Sequence, residues 1–159
     1  MEGGIYLLLG SNLGDRLKNL SEARNRIGSV LQSSAIYATA AWGKTEQPDF
    51  FNQAIEIKSV LDPEALLQRI LDLEIDMGRV RTEKWGPRTI DIDILFYGDI
   101  VIDTKDLTIP HPEIQNRKFA LEPLAEITNM THPIFKKTIR VLLDECTDAG
   151  KVTRLPHQP

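Results

Sequence analysis

Two acids on one short strand are the first residues in this sequence able to do metal chemistry. Asp91 and Asp93 alternate with Ile90, Ile92 and Ile94. Side chains two apart on a strand share a face, and two residues of rise separate their Cα atoms by roughly 7 Å. From there both carboxylates can converge on one or two cations. Asp is disfavoured inside strands, so a pair on one face calls for a reason. Oxygen-only ligands suit Mg²⁺, which takes one or two carboxylates plus substrate phosphates. Taken alone, the pair also fits a solvent-facing strand edge. The segment before it shifts the balance. Between Arg79 and Arg88 stand Arg79, Arg81, Lys84 and Arg88 against Glu83, a local charge of +3 in a chain of net charge −4. Guanidinium forks match phosphate oxygens. Cations for a polyphosphate beside acids for its metal is what phosphoryl transfer requires. Trp85 sits among the cations and can lie against a heterocycle.

Other residues are less decisive. Glu74 falls on the apolar stripe of a helix, at the core edge or aimed into a site. His111 and Arg117, with Asn116 and Phe119, follow Pro110 and can reach a phosphate, although a His among prolines is as often a packing residue. Phe50 and Asn52 could stack on and hydrogen-bond a flat ring, although core packing is the commoner role of such a Phe. Gly10-Ser11-Asn12-Leu13-Gly14 lacks the Gly-Lys-Ser/Thr ending of a P-loop and reads as a structural turn.

The elements that must carry these groups follow from periodicity. Ile5 to Leu9 reads as a buried strand. Ser11 and Asn12 are candidate helix caps, and an amphipathic helix runs to about Leu31. Ser33 to Tyr37 and Phe51 to Val60 read as strands, separated by a long loop from Thr39 to Asp49. Asp62-Pro63 starts a helix that Gly78 ends. Thr89 to Phe96 is a strand with Ile90, Ile92, Ile94 and Phe96 on one face. Ile100 to Ile102 is a short strand, Leu107 to Phe119 is mostly loop, and Ile139, Leu142 and Leu143 mark a last helix. The end, Leu155 to Pro159, is expected to fray. This order predicts an α+β, ferredoxin-like βαββαβ sandwich with extra C-terminal elements, its helices on one face of a mostly antiparallel sheet.

At 159 residues the chain is the size of one domain, residues 1–159. Its acidic balance argues against a nucleic-acid partner, and no apolar run is long enough to span a membrane. The lone cysteine, Cys146, cannot build a disulfide framework and reads as a small apolar helix residue. The start, Met1-Glu2-Gly3-Gly4, lacks a signal-peptide pattern. A soluble, cytoplasmic protein, monomeric and acting on small molecules, is expected.

These pieces together resemble the 6-hydroxymethyl-7,8-dihydropterin pyrophosphokinase family from about Ile5 to Cys146. The resemblance is carried by Gly10-Ser11-Asn12-Leu13-Gly14-Asp15, Gln47-Pro48-Asp49-Phe50-Phe51-Asn52, Gly78-Arg79-Val80-Arg81, Trp85-Gly86-Pro87-Arg88-Thr89-Ile90-Asp91-Ile92-Asp93, Pro110-His111 and Asn116-Arg117-Lys118-Phe119. It implies transfer of pyrophosphate from ATP to a pterin hydroxymethyl group in folate biosynthesis, by a ferredoxin-like α+β enzyme. Asp91 and Asp93 would hold two Mg²⁺ ions. Arg79, Arg81, Arg88, His111 and Arg117 would contact the triphosphate, with Arg79 and Arg88 counted as catalytic. Trp85 would help close the site, with Ile94 and Thr108 near the nucleoside and Glu74 near the centre. Phe50 and Phe119 would sandwich the pterin, and Asn52 would bond its polar edge, aided by main chain around Thr39 and Trp42. Ala40-Ala41, Asp106 and Pro112 depart from the family pattern. No dedicated base is evident; Asp93 is the nearest candidate, and a metal-bound role for it stands equally open. The rival readings are another metal-dependent phosphotransferase or nucleotidyltransferase on this fold and a non-catalytic RNA-binding module.

Overall fold

A computed structural model describes residues 4–40, 48–78 and 89–156. Strand β1 (Ile5–Ser11) is an inner strand, all seven of its residues buried. It runs antiparallel to β4 (Phe50–Lys58) on one side and β5 (Asp91–Tyr97) on the other. Between β1 and β4 the chain forms α1 (Arg16–Ile27), β2 (Ser29–Ser33) and β3 (Tyr37–Thr39). Helix α2 (Pro63–Asp76) links β4 to β5. A small hairpin of β6 (Ile102–Asp103) and β7 (Thr108–Ile109) follows, then a 3₁₀ turn at Ile114–Asn116, α3 (Lys118–Ile127), α4 (Ile139–Glu145) and β8 (Val152–Arg154). The main sheet runs β5-β1-β4-β3-β8, with β2 also pairing β4, and every pairing among the described residues is antiparallel.

The α+β, ferredoxin-like arrangement holds, but helices cover both faces rather than one. Helices α1 and α2 pack Leu20, Ala23, Leu66 and Ile70 onto Leu7, Leu9, Ile55 and Ile92. Helices α3 and α4 pack Ala120, Leu121, Leu124 and Leu142 onto Tyr6, Leu8, Ala54 and Phe96. A strand covered on both faces has no reason to alternate, so β1 reads as a continuous apolar run.

Local chemistry explains most boundaries. Asp15, not Ser11 or Asn12, caps α1 by accepting the Lys18 N–H at 3.1 Å. The helix stops at Ile27 because Gly28 takes φ 131°, a conformation strained for other residues. It therefore ends short of Leu31, and that stretch becomes β2. Asp62 caps α2 as expected, with Pro63 in the first turn.

Three expectations need correction. The stretch from Ser33 to Tyr37 is mainly the break between β2 and β3. There Ser34 spends its hydroxyl on the Ala54 N–H, while the Ser34 carbonyl accepts from the Gln53 side chain. In β5, Leu95 is the extra residue of a bulge, because Leu7 faces Ile94 while Tyr6 faces Phe96. Ile90, Ile92 and Ile94 keep one face, but Phe96 crosses to the other. Lastly, α3 begins inside the region expected to end as loop, and β8 precedes the tail. Pro123 lies inside α3 and hides it from a pattern search, since proline in a helix interior usually argues against one. Cys146 stands at the C-terminal cap of α4, half-buried. No helix among the described residues is long and apolar enough to cross a membrane.

Candidate active site

Cross-strand register assembles the site. Gly10 on β1 faces Asn52 on β4 and Asp91 on β5. Two rungs away, Leu8 faces Ala54 and Asp93. Period-two alternation puts Asp91, Gly10, Asn52, Asp93, Leu8 and Ala54 on the sheet face that α3 and α4 partly cover. Two strand spacings separate Asp91 from Asn52, about 10 Å between Cα atoms. Gly10 between them has no side chain, and the Asn52 amide and the Phe50 ring close in over it. Both acids are half-buried.

The same register extends outward. Asn52 faces Tyr37 and Phe50 faces Thr39, so Thr39 shares the site's face with Phe50 and Asn52. Asn52 is 4% exposed, whereas Phe50 is half-buried at the mouth of β4. The Thr39 Oγ1 is buried and makes no hydrogen bond among the described residues. A buried hydroxyl left in that state costs free energy, and here it lies on the same face as Phe50 and Asn52.

The third wall comes from the segment between β7 and α3. The His111 N–H donates to the Leu95 carbonyl at 3.0 Å, which anchors the segment to the β5 bulge. Its Nδ1 accepts the Glu113 N–H at 3.1 Å. The neutral ring therefore carries its proton on Nε2. Burial, reinforced by the Arg117 charge, pushes His111 down to about 4, against the opposing pull of Glu113 and Asp91. Those interactions place Asp91, His111 and Arg117 in one electrostatic neighbourhood. Arg117 precedes α3, and its guanidinium lies 5.6 Å from the Phe119 ring centroid. Phe119 packs half-buried against the core beneath α3.

Glu74 bonds the sheet through one of its carboxylate oxygens. It is 3% exposed on α2, and its Oε2 accepts the Ile92 N–H at 2.8 Å. Strand β5 is the sheet's last strand on that side, so its outward N–H needs a partner from elsewhere. Glu74 supplies it at the residue between the two acids, and thereby sets the strand that aims them. The Ile94 side chain is buried in the core under α1 and α2, so what a ligand can meet there is β5 backbone. Thr108 lies half-buried on β7, which packs beside β5. Trp42, Arg79, Arg81, Trp85 and Arg88 lie outside the described residues.

Asn12, read from sequence as a turn residue and candidate helix cap, and Arg16, which sequence reasoning did not single out, anchor the entry to β4. The Asn12 amide donates to the Pro48 carbonyl. Arg16 donates to the Asp49 carbonyl at 2.8 Å and stacks 3.8 Å above the Phe51 ring. Nothing in their local sequence signals these contacts, which span more than thirty residues.

The donor set fits a hard divalent cation. No group of three metal-ligating side chains occurs among the described residues. Two half-buried carboxylates on one face, with the rest of the shell left to water and phosphate oxygens, is how Mg²⁺ is commonly bound.

The profile of a family described as 7,8-dihydro-6-hydroxymethylpterin-pyrophosphokinase (HPPK) matches residues 6–129. The chain is 42% identical over 147 residues to a 2-amino-4-hydroxy-6-hydroxymethyldihydropteridine pyrophosphokinase of Aquifex aeolicus, covering 90% of this chain and 92% of that one. A protein of the same name from Synechocystis is 41% identical, over 91% of this chain and 77% of its own. In three dimensions the chain is similar to Plasmodium falciparum HPPK-DHPS crystallised with pteroate, with TM-score 0.69 at 18% identity. That alignment covers 91% of this chain and 43% of the longer Plasmodium one, and shows the fold.

Proposed function

This chain belongs to the 7,8-dihydro-6-hydroxymethylpterin-pyrophosphokinase family, and from that premise we propose how its own residues perform the reaction. It is an ATP-dependent diphosphokinase of folate biosynthesis, transferring pyrophosphate from ATP to the hydroxymethyl group of 6-hydroxymethyl-7,8-dihydropterin. The observation that carries the residue assignment is the row Asp91–Gly10–Asn52. It sets a phosphate-and-metal carboxylate and a ring-reading amide on either side of a position without a side chain.

In this reading the pterin lies beside the Asn52 amide that covers Gly10. Phe50 and Phe119 hold its faces, Asn52 bonds its polar edge, and the Thr39 hydroxyl, which makes no hydrogen bond among the described residues, gains one. Main chain near Thr39 and Trp42 completes that wall. The triphosphate lies along Asp91 and Asp93. His111, neutral and protonated on Nε2, donates to a phosphate oxygen. Arg117 adds positive charge beside it, and Arg79, Arg81 and Arg88 add more from the preceding loop. Trp85 closes over the nucleotide, with Ile94 backbone and Thr108 beside the nucleoside. Asp91 and Asp93 would hold Mg²⁺, two ions in the full complement, which when bound neutralises phosphate charge. The pterin hydroxymethyl oxygen attacks the β-phosphorus in line, the bond from that phosphorus to the α,β-bridging oxygen breaks, and AMP departs. The arginines and His111 stabilise charge at the leaving oxygen. Glu74 acts through the strand, holding Ile92 so that both acids aim at one point. The chain works as one domain and as a monomer.

The test is AMP formation from ATP and the reduced pterin with Mg²⁺, for wild type and Asp93→Ala. Pterin-dependent AMP that falls by orders of magnitude in the variant, with an unchanged melting profile, is the expected result. AMP formation unaffected by loss of Asp93 would remove the acids from the mechanism.

A further inference from the structure

Helix α3 carries Arg117 at its N-cap and Phe119 in its first turn, and it lacks a local cap. Ser, Thr, Asp or Asn normally fill that position and accept the next amide protons. Arg117 makes no such bond. The missing acceptor arrives from thirty residues away: Asp148 takes the Lys118 N–H on Oδ2 at 3.2 Å. Its other oxygen accepts the Gly150 N–H at 2.9 Å, which fixes the carboxylate in its own turn. A negative charge there also complements the helix dipole.

The chain after Asp148 then reaches the opposite wall of the site. Strand β8 pairs with β3, matching Tyr37 with Arg154 and Thr39 with Val152. The Leu155 N–H donates to the Ile36 carbonyl. Strand β3 in turn pairs with β4 at Asn52 and Phe50. Arg154 Nε donates to Glu126 of α3 at 3.2 Å, and Glu126 also accepts from the Tyr37 hydroxyl and the Ala35 N–H, each at 2.7 Å. One tail therefore grips α3 at both ends and extends the β3 side of the sheet. All of it lies beyond residue 129, where the family profile stops matching.

We infer that residues 148–155 form a strap that sets the distance between Phe119 on α3 and the Asn52–Phe50 wall, with Asp148 as a positioning residue for pterin binding. The inference rests on the assignment of Phe119, Phe50 and Asn52 to the pterin. The physical reason for the arrangement is a conflict at position 117. An arginine used for phosphate cannot also cap the helix, so the cap is delivered by a distant carboxylate.

The experiment measures pterin affinity by fluorescence titration, and KM for each substrate, in Asp148→Ala, Asp148→Asn, Phe119→Ala and the double variant Asp148→Ala/Phe119→Ala. Thermal melts are recorded in parallel. Loss of a cap is expected to weaken pterin binding about five- to tenfold in Asp148→Ala. Asp148→Asn, which keeps an acceptor oxygen, is expected to restore most of it. Adding Asp148→Ala to Phe119→Ala should cost little more, since Asp148 acts through Phe119. Unchanged pterin affinity in a folded Asp148→Ala, or a loss fully additive with Phe119→Ala, would overturn the strap's role and leave it a stabilising tail. If Phe119→Ala binds pterin normally, the assignment of Phe119 fails separately. The strap's route to the pterin then falls with it, whereas normal affinity in Asp148→Ala beside an impaired Phe119→Ala overturns the strap alone.

Discussion

Gly10 and Asn52 face each other across the β1–β4 ladder, and the Asn52 Oδ1 lies 2.7 Å from where a Cβ on Gly10 would stand. The Phe50 ring edge is 3.7 Å from the same point. No real Cβ tolerates a contact of 2.7 Å, so the amide can occupy its place only because residue 10 is glycine. The constraint is close approach. It ties Gly10 to the placement of Asn52, where the sequence had suggested a structural turn alone.

Gly10→Ala should therefore swing the Asn52 amide out of position and narrow the row. Steady-state kinetics are expected to show a pterin KM raised about five- to thirtyfold, from about 1–2 kcal/mol of lost or misdirected hydrogen bonding. The ATP KM should move less if, as proposed, the phosphates lie along Asp91 and Asp93 of β5. Equal rises in both constants would place Gly10 outside the pterin subsite.

Glu74→Ala removes the acceptor of a buried N–H at the residue between the two acids. Leaving such a group unsatisfied costs about 1–3 kcal/mol. Urea denaturation should show that loss, accompanied by faster amide exchange at Ile92 and reduced kcat. Glu74→Gln retains an acceptor oxygen and should recover much of the stability. Full stability in Glu74→Ala would show that the β5 edge does not depend on this bond.

His132 predicts an acid limit to stability away from the site. It is 2% exposed, and its Nδ1 accepts the N–H groups of Ile134 and Phe135, both at 3.1 Å. Burial holds it below its usual value of 6.5. The unfolded chain then binds the proton more readily, so stability rises with pH over that window. Its contribution is complete above about pH 6.5 and declines as pH falls toward the depressed folded value. Denaturation midpoints at stepped pH should fall below that point in wild type, and less steeply in His132→Asn, whose amide oxygen still accepts. His111 acts in the same direction, so part of the slope persists in the variant. A slope identical in the two proteins would exclude His132 as its source.

Much of this molecule was legible before folding because the relevant signals are local. Asp62-Pro63 and Gly78 bracket α2 through capping chemistry that needs no partner outside the segment. The alternation around Asp91 and Asp93 places both acids on one face because a strand repeats every two residues. The resemblance carried by residues such as Trp85-Gly86-Pro87-Arg88 identified the family as well. The failures share a cause. The Leu95 bulge moves Phe96 to the other face through a mismatch with β1 that β5 does not announce. Helix α3 hides behind Pro123 and an arginine N-cap whose missing bond is made by Asp148.

The residue types and their short-range spacing thus name the chemistry: paired carboxylates, a basic loop, aromatic and amide groups for a flat ring. They suggest it because metal and phosphate affinity belongs to the side chains themselves, and the family resemblance decides among the readings they leave open. Which groups stand abreast is a matter of register and of contacts across tens of residues. The alignment of Asp91, Gly10 and Asn52, the aim of Glu74 at Ile92, and the reach of Asp148 to α3 exist once β1 lies between β4 and β5 and the tail has crossed the sheet. Those relationships are fixed by burial of one shared core, a property of the whole chain that no single window of sequence contains.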